Sequence, residues 1–523
     1  MKILFVIKMV ETTEPMGIML LSSLAKSNGR TNQTFIHVLD NGGFEEKLKT
    51  LKPDLIAFSA KTGEYKYYLE AKRIIKRIDP KIFTIVGGPH CTFNCHKVIE
   101  DGFDAMGIGE CDDAWPEFLD KFEKGDNIGN IPNIITKENF SSSVVKGERG
   151  EWEFKNIAPR KTNLDDLPYL DYELFYGNTD FIKFSPRRTI MASRGCPFKC
   201  TYCFNRLFNE IYQSKGKLYN RYSVDRICEE LRYVKKKWPS TRFIKFYDDV
   251  FALKADDWLR EFAEKYPKEV GLPFLCLTRA DVVANHPEIL YLLKEAGIHS
   301  LSMSIESGNY YVRNEILERG MSAEQMVYSF NLAYELGIPT FANTILAIPV
   351  EREVEQKKKL PTAIERDIEG LDLNLRCRAT FGEYPILFPY PGTKLGEYCV
   401  EKGFFSGDFE KLHASYQTDS PLLCFSDKEK LMQQNLALLG TVCMFFGGSR
   451  NRILKSLTPL IRKLTVGFLI KLPLTKIFFV FYVLVKNYLY KYKIYKTDFS
   501  WREYIISTVK MLKIDVFKQF RKN

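Results

Sequence analysis

Three cysteines, Cys196, Cys200 and Cys203, are separated by three and two residues and follow directly on the strand-like run RTIMAS (188–193). No other feature restricts the fold as much. Thiolates this closely spaced on a strand-to-helix loop are suited to an inorganic cluster, and they require a β/α unit whose carboxyl edge presents the loop. Three thiolates bind three irons of a cubane and leave the fourth iron open to a chelating cofactor or substrate. The alternative is zinc, which in structural sites normally closes with four ligands. Neither a second cysteine pair nor a nearby histidine supplies the fourth, since His90 and His286 lie far away in sequence.

The strand before that loop opens a series. FIKFYDD (243–249), FLCLTRA (274–280), SLSMSIES (300–307), TFANTILAIP (340–349) and EYPILFP (383–389) follow it at β/α spacing. Six strands with intervening helices predict a partial parallel (β/α)6 barrel, whose working residues sit at the strands' carboxyl ends. A second alternation precedes it. KILFVI (2–7), TFIHVLD (34–40), DLIAFSA (54–60), KIFTIVGG (81–88) and FDAMGIG (103–109) alternate with helical stretches such as GIMLLSSLAKSNG and YYLEAKRIIKRID. That pattern predicts a doubly wound parallel sheet, in which ligands bind beyond the carboxyl ends of the strands. Ser59, Lys61 and Thr62 fall there, as do Gly87, Gly88, Pro89 and His90, and Gly107, Gly109 and Glu110. Glycine lets a backbone approach a ligand closely, although such glycines taken alone are turn residues.

At 523 residues the chain exceeds a single hydrophobic core, so two or three domains are expected. The predicted division is 1–135, a linker over 136–186, 187–395, and a mostly helical region over 396–523. Residues 126–186 are turn-rich and polar and end in LDDLPYLDYELF (164–175). The apolar start is too short for a signal peptide and runs straight into Lys8. Twelve irregularly spaced cysteines do not read as a disulfide framework, and a cytoplasmic setting follows. Of the net charge of +11, residues 450–523 carry 17 Lys/Arg against Asp498, Glu503 and Asp515, which leaves the first 449 residues slightly acidic. A nucleic-acid-binding face is therefore not expected.

The CxxxCxxC spacing, with Tyr202 before the last cysteine, resembles the radical S-adenosylmethionine superfamily. The resemblance implies a 4Fe–4S cluster on Cys196, Cys200 and Cys203, with S-adenosylmethionine chelating the open iron and cleaving to a 5′-deoxyadenosyl radical. It further implies that Tyr202 contacts adenine and that Asp248 or Asp249 accepts from the methionine ammonium. Glu306 in SIESGN would meet the ribose, and Arg279 and Arg319 (in ILERGMS) would hold carboxylate. Read without the resemblance, Arg319 is equally a helix cap and Asp249 a solvated strand end.

A doubly wound domain, LDDLP and then CxxxCxxC is similar to the cobalamin-dependent branch of that superfamily. IVGGPHCTF (85–93), GIGE (107–110), ESGN, LERGMS and FPYPGTKLGEYCVEKGF (388–404) extend the likeness over residues 1–405. The implied fold is α/β: a Rossmann-like cobalamin-binding domain, a partial radical S-adenosylmethionine barrel and a helical C-terminal region. Cobalamin would be held by the glycine loops named above. None of the six histidines has Asp two before and Gly three after, so no D-x-H-x-x-G motif offers cobalt an axial ligand. The lower face would be open, water-bound or shielded near Lys61 and Thr62.

The implied activity is methyl transfer to an unactivated carbon. One S-adenosylmethionine would methylate the reduced corrin and a second would supply the radical. An external one-electron donor of flavodoxin or ferredoxin type is implied, with a small-molecule or lipid-like substrate. Related architectures perform cyclisation or rearrangement, and a corrinoid- or redox-sensing protein without catalysis is a third reading. In residues 464–496, apolar runs too short to span a bilayer alternate with lysines. They suit either a peripheral contact at the inner membrane face or a helical cap on the barrel.

Overall fold

The computed structural model describes residues 1–10, 13–146, 152–177, 183, 185–412, 419–496 and 505. The tail acids Asp498, Glu503 and Asp515 lie outside them. Two six-stranded sheets organise the chain.

In the first, β1 (Lys2–Ile7), β2 (Gln33–Val38), β3 (Leu55–Ser59), β4 (Phe83–Gly87), β5 (Ala105–Gly107) and β6 (Ile134–Thr136) take the spatial order 2-1-3-4-5-6. Pairings from β2 to β5 are parallel, and β6 closes one edge antiparallel to β5. The KILFVI run is apolar throughout because both faces are covered. Ile3, Phe5 and Ile7 pack with the helices Met16–Lys26 and Ala114–Lys124, while Leu4 and Val6 pack with the helix Tyr65–Ile78.

The stretch read as a linker is packed. It supplies β6 and a hairpin of β7 (Val144–Lys146) and β8 (Trp152–Phe154). Leu164, Leu167, Tyr172 and Leu174–Tyr176 are buried in the first domain's core. Asp171 fastens this strap to the helix Met16–Lys26, its Oδ2 accepting at 2.6 Å from both Ser22 and Lys26.

The second sheet runs β9 (Arg187–Ile190), β12 (Phe243–Phe246), β13 (Phe274–Leu277), β14 (Ile298–Ser302), β15 (Thr340–Asn343) and β16 (Phe381–Glu383) in chain order, all parallel. Between its first two strands, β10 (Ser193–Arg194) pairs antiparallel with β11 (Asn220–Arg221) across the cysteine loop. One expectation shifts. The final strand lies at Phe381–Glu383 rather than across 383–389, where Pro385 and Pro389 have no N–H for a ladder.

The helix Asp427–Gly447 fills the sheet's open side. It opens with a Ser426/Glu429 capping box and is buried on nearly all faces from Gln433 to Met444. The helices Thr458–Gly467 and Thr475–Leu489 pack on it. Glu383, buried at the end of β16, accepts from Lys486, Tyr482 and Tyr490 and so ties the last helix to the barrel. Burial opposes its charge, but Lys486 and the hydroxyls hold its carboxyl below the usual range.

Candidate active site at the domain seam

The cysteine loop is fixed by its backbone. Asn209 Nδ2 donates to Cys196 O at 2.8 Å and Arg206 Nη1 to Lys199 O at 3.1 Å. Thr201 donates through its hydroxyl to Ile316 O at 2.7 Å and through its amide to Leu317 O at 3.2 Å. Gly195 turns the chain into the loop at φ +84°, where a Cβ would meet Leu218 O and the Arg160 guanidinium. Cys196 and Cys203 are partly buried and Cys200 is buried. Burial pushes the Cys196 thiol up to about 11 and the Cys203 thiol up to about 12. Mutual repulsion of the three sulfurs and the Asp249 charge add to both shifts. Thiolates here need local positive charge, which cluster irons supply. Among the described residues no three His, Cys, Asp or Glu converge on a single-ion site. A cubane instead takes its three thiolates on three separate irons.

Above the loop, Arg279 Nη1 stands 3.5 Å and Arg319 Nη1 3.7 Å from Cys200 Sγ. The Arg279 guanidinium also lies over the Phe198 ring, 3.8 Å from its centroid. Tyr202 Oη donates to Glu306 Oε1 at 2.9 Å and accepts from Arg319 Nη1 at 3.1 Å. Glu306 reaches Tyr202 from a left-handed backbone, φ +62°, held by its amide on Asn343 O and its carbonyl on the Ile345 amide. A non-glycine residue there is strained, as happens where a side chain must be aimed. Burial raises the Glu306 carboxyl, with Arg319 and Tyr202 opposing. Tyr202, Arg279, Glu306 and Arg319 are thus one constellation against Cys200. Among the described residues, buried Arg319 Nε has no partner, and neither does Asp248 Oδ2. One nitrogen of a guanidinium otherwise bonded to Tyr202 and Ser304 O, and one oxygen of a carboxyl otherwise bonded to Ser193, are thus left for a ligand carrying both an acceptor and a donor.

Asp248 accepts from Ser193 Oγ at 2.5 Å, and burial pushes its carboxyl up to about 7. Asp249 is raised by burial too, with Asn205, Arg160 and the Gly195 amide pulling the other way. Asp249 also lines a cavity of about 380 Å³ between the two sheets. The first domain contributes Ser59, Gly87, Gly88, Gly107, Gly109 and Glu110 to that cavity. The barrel contributes Met191, Arg194 and Gly195. Its apolar walls include Leu20, Trp115, Phe204 and Phe208.

Gly88 (φ +94°) sits so tightly on the end of β3 that a Cβ would stand 2.8 Å from Ala60 N. At Gly109 (φ +65°) a Cβ would collide with the Tyr212 hydroxyl, which itself accepts from the Glu110 amide at 2.7 Å. These close contacts fix the two loops as a backbone cradle at the cavity wall.

Cys196, Cys200, Cys203, Tyr202, Asp248, Arg279, Glu306 and Arg319 lie off the cavity wall, and so do four of the ten residues predicted on the first domain's loops. Lys61 is exposed and paired with Glu64 at 3.5 Å, and Pro89 is exposed at the start of a short helix. Thr62 Oγ1 lies 3.3 Å from Nδ1 of His90. The His90 ring stacks on Tyr65, centroids 4.2 Å apart, and burial lowers its pKa to about 4.

Sequence reasoning missed the seam itself. Arg160, from the strap, donates to Glu110 Oε1 at 3.0 and 3.1 Å, and Arg194 pairs with Asp112. Each joins residues more than 45 positions apart; Arg160 has no motif around it, and Arg194, although it opens the cysteine loop, carries no signal of its distant partner.

Residues 190–357 match the Radical SAM superfamily and residues 3–119 the B12 binding domain. The chain is 26% identical over 400 residues to an uncharacterized methyltransferase, PH0819, of Pyrococcus horikoshii, covering 74% of this chain and 79% of that one. It is 25% identical over 346 residues to the hopanoid C-3 methylase of Methylococcus capsulatus, covering 65% of this chain and 62% of the methylase. An anaerobic magnesium-protoporphyrin IX monomethyl ester cyclase of Rubrivivax gelatinosus is 23% identical over 351 residues, covering 64% of this chain and 59% of the cyclase. Among solved structures, the radical S-adenosylmethionine methyltransferase TsrM of Kitasatospora setae, with cobalamin and a [4Fe-4S] cluster bound, shares the fold. Its TM-score is 0.57 at 15% identity, covering 77% of this chain and 75% of TsrM. With a B12 binding domain followed by a Radical SAM domain, the chain belongs to the cobalamin-dependent radical S-adenosylmethionine enzymes.

Proposed function

We propose that the protein is a C-methyltransferase that moves a methyl group from S-adenosylmethionine to an unactivated carbon of a small molecule. The observation that carries this is the single cavity bounded by the corrin-type glycine loops on one side and by Asp249 and Gly195 of the cluster loop on the other. Held by the cysteine loop beside this cavity, the cluster would supply the electron that cleaves S-adenosylmethionine, and a corrin against the glycine loops would supply a transferable methyl.

The chain's own residues divide the remaining work. Cys196, Cys200 and Cys203 hold the cluster. Arg319, with Nε unmatched, and Arg279 orient a carboxylate, and Asp248 or Asp249 takes the ammonium. Tyr202 and Glu306 shape the adenosine side. The apolar wall of Leu20, Trp115, Phe204 and Phe208 keeps water from a carbon radical. The electron comes from an external one-electron donor of flavodoxin or ferredoxin type.

The test is anaerobic reconstitution with iron, sulfide and hydroxocobalamin, then incubation with S-adenosylmethionine and a low-potential reductant. A methyltransferase forms S-adenosylhomocysteine, from methylation of the reduced corrin, as well as 5′-deoxyadenosine. Formation of 5′-deoxyadenosine alone, with the corrin bound and reduced, assigns the protein to ring closure or rearrangement instead.

A further inference from the structure

Two helical segments outside the active site turn apolar side chains to solvent in register. In residues 452–467, Ile453, Leu457, Leu460 and Leu464 recur every three or four positions, with Ile453 75% and Leu460 54% exposed. In the helix Thr475–Leu489, Ile477, Phe481 and Leu484 do the same, and Phe481 is 54% exposed. The opposite faces pack on the helix Asp427–Gly447: Ile461 and Val466 of the first segment are partly buried against the core, and Phe478, Phe479, Tyr482 and Val483 of the second are buried in it. The outward stripes are therefore surplus to the core, and together they exceed the scattered exposure expected of a soluble surface.

Charge says what would cover them. From residue 450 to 497 the chain has eleven Lys/Arg and no Asp or Glu. Arg452, Lys463 and Lys471 are exposed beside the stripes. No helix among the described residues is long and apolar enough to cross a membrane. Apolar stripes that cannot span, with exposed Arg452, Lys463 and Lys471 among them and Arg462 paired to Asp372, match an anionic lipid interface.

We infer that the short helix Arg452–Ser456 and the helices Thr458–Gly467 and Thr475–Leu489 dock the enzyme on anionic membranes. Their apolar stripes would enter the headgroup boundary, and Arg452, Lys463 and Lys471 would meet lipid phosphates. This inference is independent of the reaction catalysed.

The experiment is flotation of the full-length protein, cofactors loaded, with vesicles of phosphatidylcholine alone or with 30% phosphatidylglycerol (by mole, about one lipid in three). Each basic residue near such a surface strengthens partition about fivefold. The wild type should float with the anionic vesicles, far less with neutral ones, and less as salt screens the surface. The triple variant Arg452→Ser/Lys463→Ser/Lys471→Ser should lose binding by about a hundredfold. Ile477→Glu/Phe481→Glu should lose it at any salt. Unchanged melting and retained corrin and iron would show that both variants remain folded. Binding that ignores lipid charge, or no flotation at all, overturns the inference. So does a wild-type dimer in solution that Ile477→Glu/Phe481→Glu dissociates, because the face would then cover a second copy of the chain.

Discussion

Alanine at Gly88 separates the two cofactor sites. The residue lies at φ +94°, ψ −179°, a region populated essentially by glycine and costing a side-chain residue about 1–3 kcal/mol. Its Cβ would stand 2.8 Å from Ala60 N and 2.9 Å from Ala60 O, backbone atoms that no rotamer change can move aside. Those atoms carry the 2.7 Å bond from the Ala60 amide to Gly87 O and the 3.0 Å bond from the His90 amide to Ala60 O. Each is worth about 1 kcal/mol net. The total, about 3–5 kcal/mol, falls on one turn between β3 and β4 and is smaller than a typical domain's stability. If about 2 kcal/mol of it must be met again when a ligand presses on the turn, corrin affinity falls about thirtyfold. The assay is corrin retained after anaerobic gel filtration, read by its visible spectrum, beside iron content and 5′-deoxyadenosine formation. Gly88→Ala should lose corrin, keep its iron and still cleave S-adenosylmethionine. Wild-type corrin affinity in this variant would refute the cradle argument.

Three further outcomes follow from the barrel side. Cys200→Ala should lose the cluster and all S-adenosylmethionine cleavage while retaining corrin, checked by iron analysis and the visible spectrum. Glu306→Gln keeps an acceptor for Tyr202 but removes the charge, a loss of about 1–2 kcal/mol, so the KM for S-adenosylmethionine should rise about five- to thirtyfold with iron unchanged. Because burial raises the Asp248 carboxyl to about 7, the folded state holds that proton more tightly than the unfolded chain, and the group costs stability progressively as pH rises from about 4 to 7. Asp248→Asn should therefore gain in melting temperature relative to the wild type between pH 5 and 7.5, while binding S-adenosylmethionine more weakly. A difference that stays flat with pH would remove Asp248 as a buried acid.

Eleven of the twelve strands in the two main sheets were legible because apolar runs bounded by turn residues recur at β/α spacing. The exception, β6, is three residues long and joins the sheet antiparallel, so no period marks it. The cysteine loop was legible because its chemistry is local. The strap at 164–176 was not, since LDDLPYLDYELF looks polar and hides Leu164, Leu167 and Tyr172 among acids. The helix Asp427–Gly447 carried no recognisable motif because, buried nearly all round, it has no polar stripe. The strained backbone at Glu306 also lies beyond sequence reasoning: it is imposed by Asn343 and Ile345 on the next strand.

The two arginine bridges at the seam have a thermodynamic consequence. Arg194 precedes the cluster loop and grips Asp112 just beyond the glycine loop Gly107–Glu110. Arg160 presses against Gly195 while holding Glu110. Whatever orders one loop therefore orders the other, and the entropy of fixing the pair is lost only once. Loading of the two cofactors then becomes a pair of linked equilibria: corrin tightens retention of the cluster, and the cluster tightens retention of corrin by the same factor.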